Sequence, residues 1–448
     1  MSERQERVKS SRASVVFHWV GLAARAVLGP PARAVRGSAR RVADPGRQVV
    51  DYWASERVTM RQGFVAVTIA ALTSLVAGIT LAAMEGRLAA LPGLLVLVPA
   101  SIGMRGSIFG ALSARLGTTI HSGLFEVSWD REGALYQNVY AAGLLTIATS
   151  AVMGALARWI SMLLGQETVP VWDMIIVALT GGLLSSAIVL IVTVAISVRS
   201  FTRGWDLDSV GSPLITAIGD VVTLPCLWIS SYLVELEVLS RLVGALGIGI
   251  AIVSVVGGWR SARQTVRRVV RESFPVLCLA IVLAVLAGAI VQPRAGEIFT
   301  AFPAFLILLP GFLGITGALG GILSARLGSK LHLGAVTPSA RPEPAALLDA
   351  TIVLALGFVV YAVTAGATLG VSALTDRAYP GTLRFAGIVM VGGALATIAA
   401  SLIGYYAAIA TYRFGFDPDN HTIPLVTSGM DLLGVICLVI ALGLFGVA

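Results

Sequence analysis

Residues 98–123 read VPASIGMRGSIFGALSARLGTTIHSG, and residues 309–334 read LPGFLGITGALGGILSARLGSKLHLG. A shift of 211 positions superimposes the two without a gap. Pro99 falls on Pro310, His121 on His332, and Gly103, Gly106 and Gly110 on Gly314, Gly317 and Gly321. The run Ser113 to Gly117 is repeated as Ser324 to Gly328. The same shift carries outward in both directions. Pro92 falls on Pro303, and Asp206, Asp208, Pro213, Thr216, Asp220 and Cys226 fall on Asp417, Asp419, Pro424, Thr427, Asp431 and Cys437. A repeat of this length fixes the architecture before any local reading: the chain is two copies of one unit.

That unit sits in lipid. Of the 448 residues, 56% are hydrophobic and 12% charged, too little charge to cover a water-facing surface of this size. Apolar runs near the ~20 residues that cross a bilayer recur from Phe64 onward. Lipid offers no partner to a free backbone amide, so these runs read as helices, and the short alternating segments of a barrel are not seen. The expected spans are 64–84, 90–112, 136–162, 172–198 and 211–235 in the first copy and 240–258 between the copies. The second copy gives 275–294, 301–323, 346–373, 384–410 and 422–447. The expected fold class is therefore an all-α polytopic membrane protein of about 11 spans. Each copy has an odd number of spans, and the linker span restores parity, so both run the same way. Parallel repeats of this kind imply a pseudo-two-fold axis along the membrane normal.

The net charge is +8, unevenly placed. Residues 1–62 are arginine-rich and carry neither a spanning run nor a cleavable leader, so a cytoplasmic basic tail is expected. Its His18 to Arg41 stretch mixes apolar and basic residues and reads either as disordered or as lying on the anionic inner leaflet. Arg105, Arg115, Arg131, Arg199, Arg203, Arg326, Lys330, Arg341, Arg413 and the cluster Arg260 to Arg271 collect on the tail's side; fewer basic residues fall opposite. This bias supports the topology and puts the C-terminus outside the cell, in a multi-pass plasma membrane protein. The domains are a tail (1–62), a first repeat (63–236), a linker helix with a basic loop (237–273) and a second repeat (274–448). Nothing points to nucleic acid, and one chain can act as a monomeric pseudo-dimer. Cys226, Cys278 and Cys437 all lie in apolar runs, which indicates small buried hydrophobes and neither disulfides nor a zinc cluster.

Asp220 and Asp431 carry the strongest chemical signal. Asp220 lies nine residues past Gly211, about 14 Å into its helix at ~1.5 Å per residue, near the middle of a ~30 Å core. A carboxylate at that depth costs several kcal/mol unless paired or hydrated. If the pseudo-two-fold axis brings both acids together, a cation or a shared proton is needed between them. Thr216 and Thr427, one turn earlier, can add oxygen ligands or hold water. Oxygen ligands without cysteine or histidine suit a hard divalent ion such as Mg²⁺ or Ca²⁺; a bland alternative is a protonated aspartate bonded to a neighbouring helix. Gly106, Gly317 and Ser107 sit on segments dense in proline and glycine, which either line the path with freed carbonyls or simply kink and pack closely. Asn138 and Asp349 begin the third spans, and Asp206, Asp208, Asp417 and Asp419 precede the fifth. These read either as an acidic cytoplasmic mouth or as helix N-caps. Arg115 and Arg326 are expected to snorkel or to bind lipid phosphate. His121 and His332 are expected in loops, with a structural or a metal-binding role.

PGLLVLVPASIGMRGSIFGALSARLGTTIHSG, PAFLILLPGFLGITGALGGILSARLGSKLHLG, SPLITAIGDVVTLP and IPLVTSGMDLLGVI resemble the membrane domain of MgtE-type magnesium transporters. The likeness is greatest to the duplicated forms in the solute-carrier family forty-one and similar prokaryotic proteins. It covers about 64–235 and 275–447. The resemblance implies that the two halves play the parts of two subunits, with Asp220 and Asp431 in the ion-binding role. It departs where the family often has asparagine, here Ser107 and Ala318, and where Gly434 matches Thr223. Nothing resembles the family's acidic magnesium-sensor region. The expected function is a divalent cation transporter or channel, with Mg²⁺ as the moved ion, needing no further cofactor. The alternative is an H⁺- or Na⁺-coupled exchanger of Mn²⁺, Co²⁺ or Ca²⁺. No GxSxG elbow, HExxH or P-loop argues for an enzyme.

Overall fold

The computed structural model describes residues 45–123, 125–203, 207–415 and 423–447. The His18 to Arg41 stretch and Asp206, Asp417 and Asp419 lie outside the described residues, and Asp208 is described only in its backbone. A short helix α1 (Pro45–Ser55) precedes eleven long ones. In the first half these are α2 (Arg57–Ala83), α3 (Leu94–His121), α4 (Ala134–Leu163), α5 (Val171–Arg203) and α6 (Leu207–Ser231). α7 (Glu237–Trp259) links to the second half: α8 (Gln264–Val291), α9 (Ala304–His332), α10 (Pro344–Leu374), α11 (Thr382–Phe414) and α12 (Ile423–Leu444). Each of the eleven is long and apolar enough to cross a membrane, so the chain is an all-α polytopic protein.

Burial grades these spans. α3 and α9 are 78% buried, while the linker α7 is 28% buried and turns Leu242, Leu246, Ile250 and Val253 outward. A helix apolar all round belongs at the centre of a bundle or in lipid; here α3 and α9 take the centre.

The two halves exchange their first helices. α2 packs on α9 and α10 of the other half, and α8 packs on α3 and α4. Both crossings depend on a glycine. A side chain at Gly78 would overlap the Ile307 backbone, and one at Gly288 would overlap the Val96 backbone. Ile307 and Val96 are 211 residues apart, the repeat spacing, and Gly78 and Gly288 are 210 apart.

Four sequence expectations need correction. α3 and α9 run about two turns past 112 and 323, so Arg115, Arg326 and Lys330 lie within helices, not in cytoplasmic loops, and so do His121 and His332. The helices continue because buried partners, not water, meet their charges. Arg115 Nε donates to Asn138 Oδ1 at 3.0 Å, and Arg326 Nη2 to Asp349 Oδ1 at 2.8 Å, in place of snorkelling. Asn138 and Asp349 do not cap their helices; Gly133 and Glu343 stand at those positions. Finally, α3 and α9 pass unbroken through Pro99 and Pro310, which lie near their N-terminal ends, so the freed carbonyls do not open a non-helical path at mid-depth.

α1 is tied to the second half by its side chains. Tyr52 Oη donates to Asp349 Oδ1 at 2.6 Å, Lys330 Nζ donates to Tyr52 Oη at 3.0 Å, and Trp53 Nε1 donates to Thr351 Oγ1 at 3.0 Å. Glu56, just past α1, pairs with Arg326 at 3.2 Å. Burial and the Asp349 carboxylate hold the Tyr52 phenol above its usual range, so it remains a donor at neutral pH.

Candidate metal centre

Asp220 projects from the middle of α6 and Asp431 from α12, where the repeat places them at matched positions. Asp220 is 7% exposed, and Ser74 Oγ of α2 donates to its Oδ2 at 2.8 Å. Asp431 is half-buried. Its Oδ2 lies against Gly103 of α3, 3.4 Å from where a Cβ would stand. α3, which carries Gly103, packs on both α6 and α12, the helices that bear the two acids. No lysine or arginine side chain pairs with either acid among the described residues. Two like charges in a low-dielectric core repel unless a cation or a proton lies between them.

The glycines explain how the helices come so close. Gly106 lies against Thr216, with 3.3 Å between a Cβ there and the threonine methyl, and Gly317 lies against Thr427 at 3.6 Å. Gly314, the partner of Gly103, faces Ser74 Oγ at 3.3 Å. A larger residue at these points would push α3 and α9 away from the helices that bear the acids. α3 and α9 are also the most buried spans, yet Gly314 is exposed and Gly103 and Gly106 are half-buried. Thr216 is exposed and Thr427 half-buried. These helices therefore leave an opening beside Thr216, Gly103, Gly106 and Gly314.

Ser107 is 5% exposed and lines a cavity of about 10 Å³ with Arg115, Ser273 and Pro424. That is about the size of one water molecule. Asn138 and Asp349 stand apart from the acid pair. Both are buried, at 3% and 0%, and both are engaged by arginines of the neighbouring helix. Lys330 Nζ adds a 2.6 Å contact to Asp349. Gly106 thus meets Thr216, Gly317 meets Thr427 and Gly103 meets Asp431, while Asn138 and Asp349 are engaged apart from these contacts by arginines. Ser74 was missed from the sequence; a serine in a spanning run opposite an unpaired acid was the available signal.

Among the described residues no three His, Cys, Asp or Glu side chains converge. Two carboxylates and threonine hydroxyls form a sparse oxygen set. A hard cation held there keeps part of its water shell, as suits an ion that dehydrates reluctantly.

Comparisons with known proteins give the chain's family. The family model described as "MgtE: Divalent cation transporter" matches residues 98–230 and again residues 309–441. Solute carrier family 41 member 3 of Mus musculus is 22% identical over 365 residues, 76% of this chain and 73% of that protein. Solute carrier family 41 member 2 of Homo sapiens is 23% identical over 374 residues, 77% of this chain and 63% of that one, so the chain spans under two thirds of the human protein. Among solved structures, the eukaryotic MATE transporter AtDTX14 aligns over 90% of this chain and 97% of its own, with 12% identity and a TM-score of 0.31. That score carries no argument about fold.

Proposed function

Since this chain belongs to the MgtE family of divalent cation transporters, we propose that it moves Mg²⁺ across the plasma membrane, between its two halves and past Asp220 and Asp431. The single observation that carries this reading is the pair of repeat-matched acids, both within spanning helices that pack on α3 and without a basic partner among the described residues. A divalent ion cancels both charges at once. Thr216 and Thr427 hold its waters, and Gly106 and Gly317 let the helices approach. Ser107 continues the polar route toward the cytoplasm, while Asn138 and Asp349 brace the helices that border it. Asp206, Asp208, Asp417 and Asp419 concentrate cations at the cytoplasmic mouth.

The exchanged first helices and the two glycine crossings support a pseudo-two-fold axis along the membrane normal, with one chain acting as a pseudo-dimer. In this reading the N-terminus is cytoplasmic, the C-terminus is outside, and the basic tail meets the anionic leaflet. The domain limits are those of the repeat: 63–236 and 274–448, joined by 237–273. The protein catalyses no covalent chemistry. The test is Mg²⁺ flux into vesicles carrying the purified chain. Flux by the wild type and none by the Asp220→Asn, Asp431→Asn double variant is expected; equal flux by both overturns the site.

A further inference from the structure

Arg105 lies on α3 eleven residues past Leu94, about 17 Å along the helix at ~1.5 Å per residue. It is 1% exposed. Its Nη1 donates to Ser186 Oγ of α5 at 2.8 Å, while Nε and Nη2 meet no acceptor among the described residues. The titratable group that faces it is the Cys226 thiol, not a carboxylate. A guanidinium at mid-membrane depth without a counter-charge costs several kcal/mol. It also offers a planar fork of donors that suits an anion.

A second orphan meets it. The Ser150 hydroxyl of α4, 1% exposed, has no partner among the described residues. Both groups converge on Gly182 of α5, where a methyl would overlap Ser150 Oγ and lie 3.0 Å from Arg105 Nη2. Three helices thus bring one guanidinium nitrogen and a hydroxyl, both unsatisfied, together beside Gly182, with Arg105 Nε a further open donor. The second half has an orphan hydroxyl at the place of Ser150, that of Tyr361, but no guanidinium beside it. There Thr316 stands at the position matched to Arg105, and its hydroxyl is used by the Leu313 carbonyl at 2.7 Å and the Met430 carbonyl at 3.4 Å. Orphaned buried donors call for a water or an ion. Water leaves the positive charge uncancelled; a small monovalent anion accepts from all the donors and cancels it.

We propose that Arg105, Ser150 and Ser186 form a binding site for a small halide-type anion, with chloride as the abundant occupant, and that the anion holds α3, α4 and α5 together beside the cation path. This site assumes nothing about Asp220 and Asp431.

The test uses the full-length chain crystallised in bromide, with melting temperature measured in chloride and in gluconate at equal ionic strength. An anomalous bromide peak within hydrogen-bond reach of Arg105 and Ser150 is expected, with a higher melting temperature in chloride. Arg105→Thr, which copies the second half, is expected to lose both effects. Ser150→Ala keeps the cation and is expected to raise the half-saturating chloride concentration several-fold, which covers the case of an Arg105→Thr variant that does not fold. The Asp220→Asn, Asp431→Asn double variant is expected to bind bromide as the wild type does, so this site and the cation site fail separately. Water at Arg105 with no bromide peak, or equal melting temperatures in the two salts, overturns the proposal.

Discussion

Ser74 Oγ donates a 2.8 Å hydrogen bond to Asp220 Oδ2, and the acid's repeat partner Asp431 faces a glycine. Counted from Gly78 and Gly288, Ala284 holds in α8 the position that Ser74 holds in α2. The two acids are chemically alike and held differently, so they are not interchangeable. Ser74→Ala is expected to weaken apparent Mg²⁺ affinity several-fold in the wild type and to have no further effect in Asp220→Asn, because residues in one hydrogen bond couple and distant ones add. Flux titrations on the four proteins of that cycle measure the coupling; additive losses contradict it.

Either single acid change, Asp220→Asn or Asp431→Asn, is expected to cost tenfold to a hundredfold in apparent affinity, about 1.4–2.8 kcal/mol. The pair together is expected to remove transport. Concentration dependence of flux in vesicles is the readout, and a single variant with wild-type affinity would release that acid from the site.

Gly78→Val and Gly288→Val are each expected to destabilise the protein by about 1–3 kcal/mol through overpacking. Each forces a side chain into the backbone of the opposite half. Melting temperatures of the purified variants check this. A large loss from one and none from the other would contradict the reciprocal exchange of first helices.

Asp349→Asn is expected to be the most disruptive change outside the acid pair, at about 3–5 kcal/mol, since it strips a buried partner from Arg326 and Lys330. Tyr52→Phe is expected to cost less, about 1 kcal/mol for one hydrogen bond, and to free α1 for proteolysis. Asn138→Asp, which gives Arg115 the carboxylate its partner has, is expected to be neutral or stabilising. Thermal melts and limited digestion distinguish these outcomes.

All eleven spans and the matched acids were legible in the sequence because both depend on periodicity: apolar length for the spans, the 211-residue shift for the acids. Contacts between residues far apart in sequence were not. Gly78 and Gly288 look like ordinary small residues in apolar runs, and only packing shows that each admits a backbone from the other half. Asp349 near a helix start suggested a cap, while its true partners come from α9 and α1. Arg105 was counted with loop charge because basic residues near span ends usually belong there. Its position two residues past Gly103, inside a run expected to span, was the signal that it is buried.

The most direct test is an anomalous difference map from crystals of the full-length chain soaked in Mn²⁺, a heavier stand-in for the proposed ion. A peak within coordination reach, direct or through water, of both Asp220 and Asp431 is expected, and it should vanish in the double asparagine variant. A Mn²⁺ peak elsewhere in the membrane region, with none between these two acids, would contradict the account.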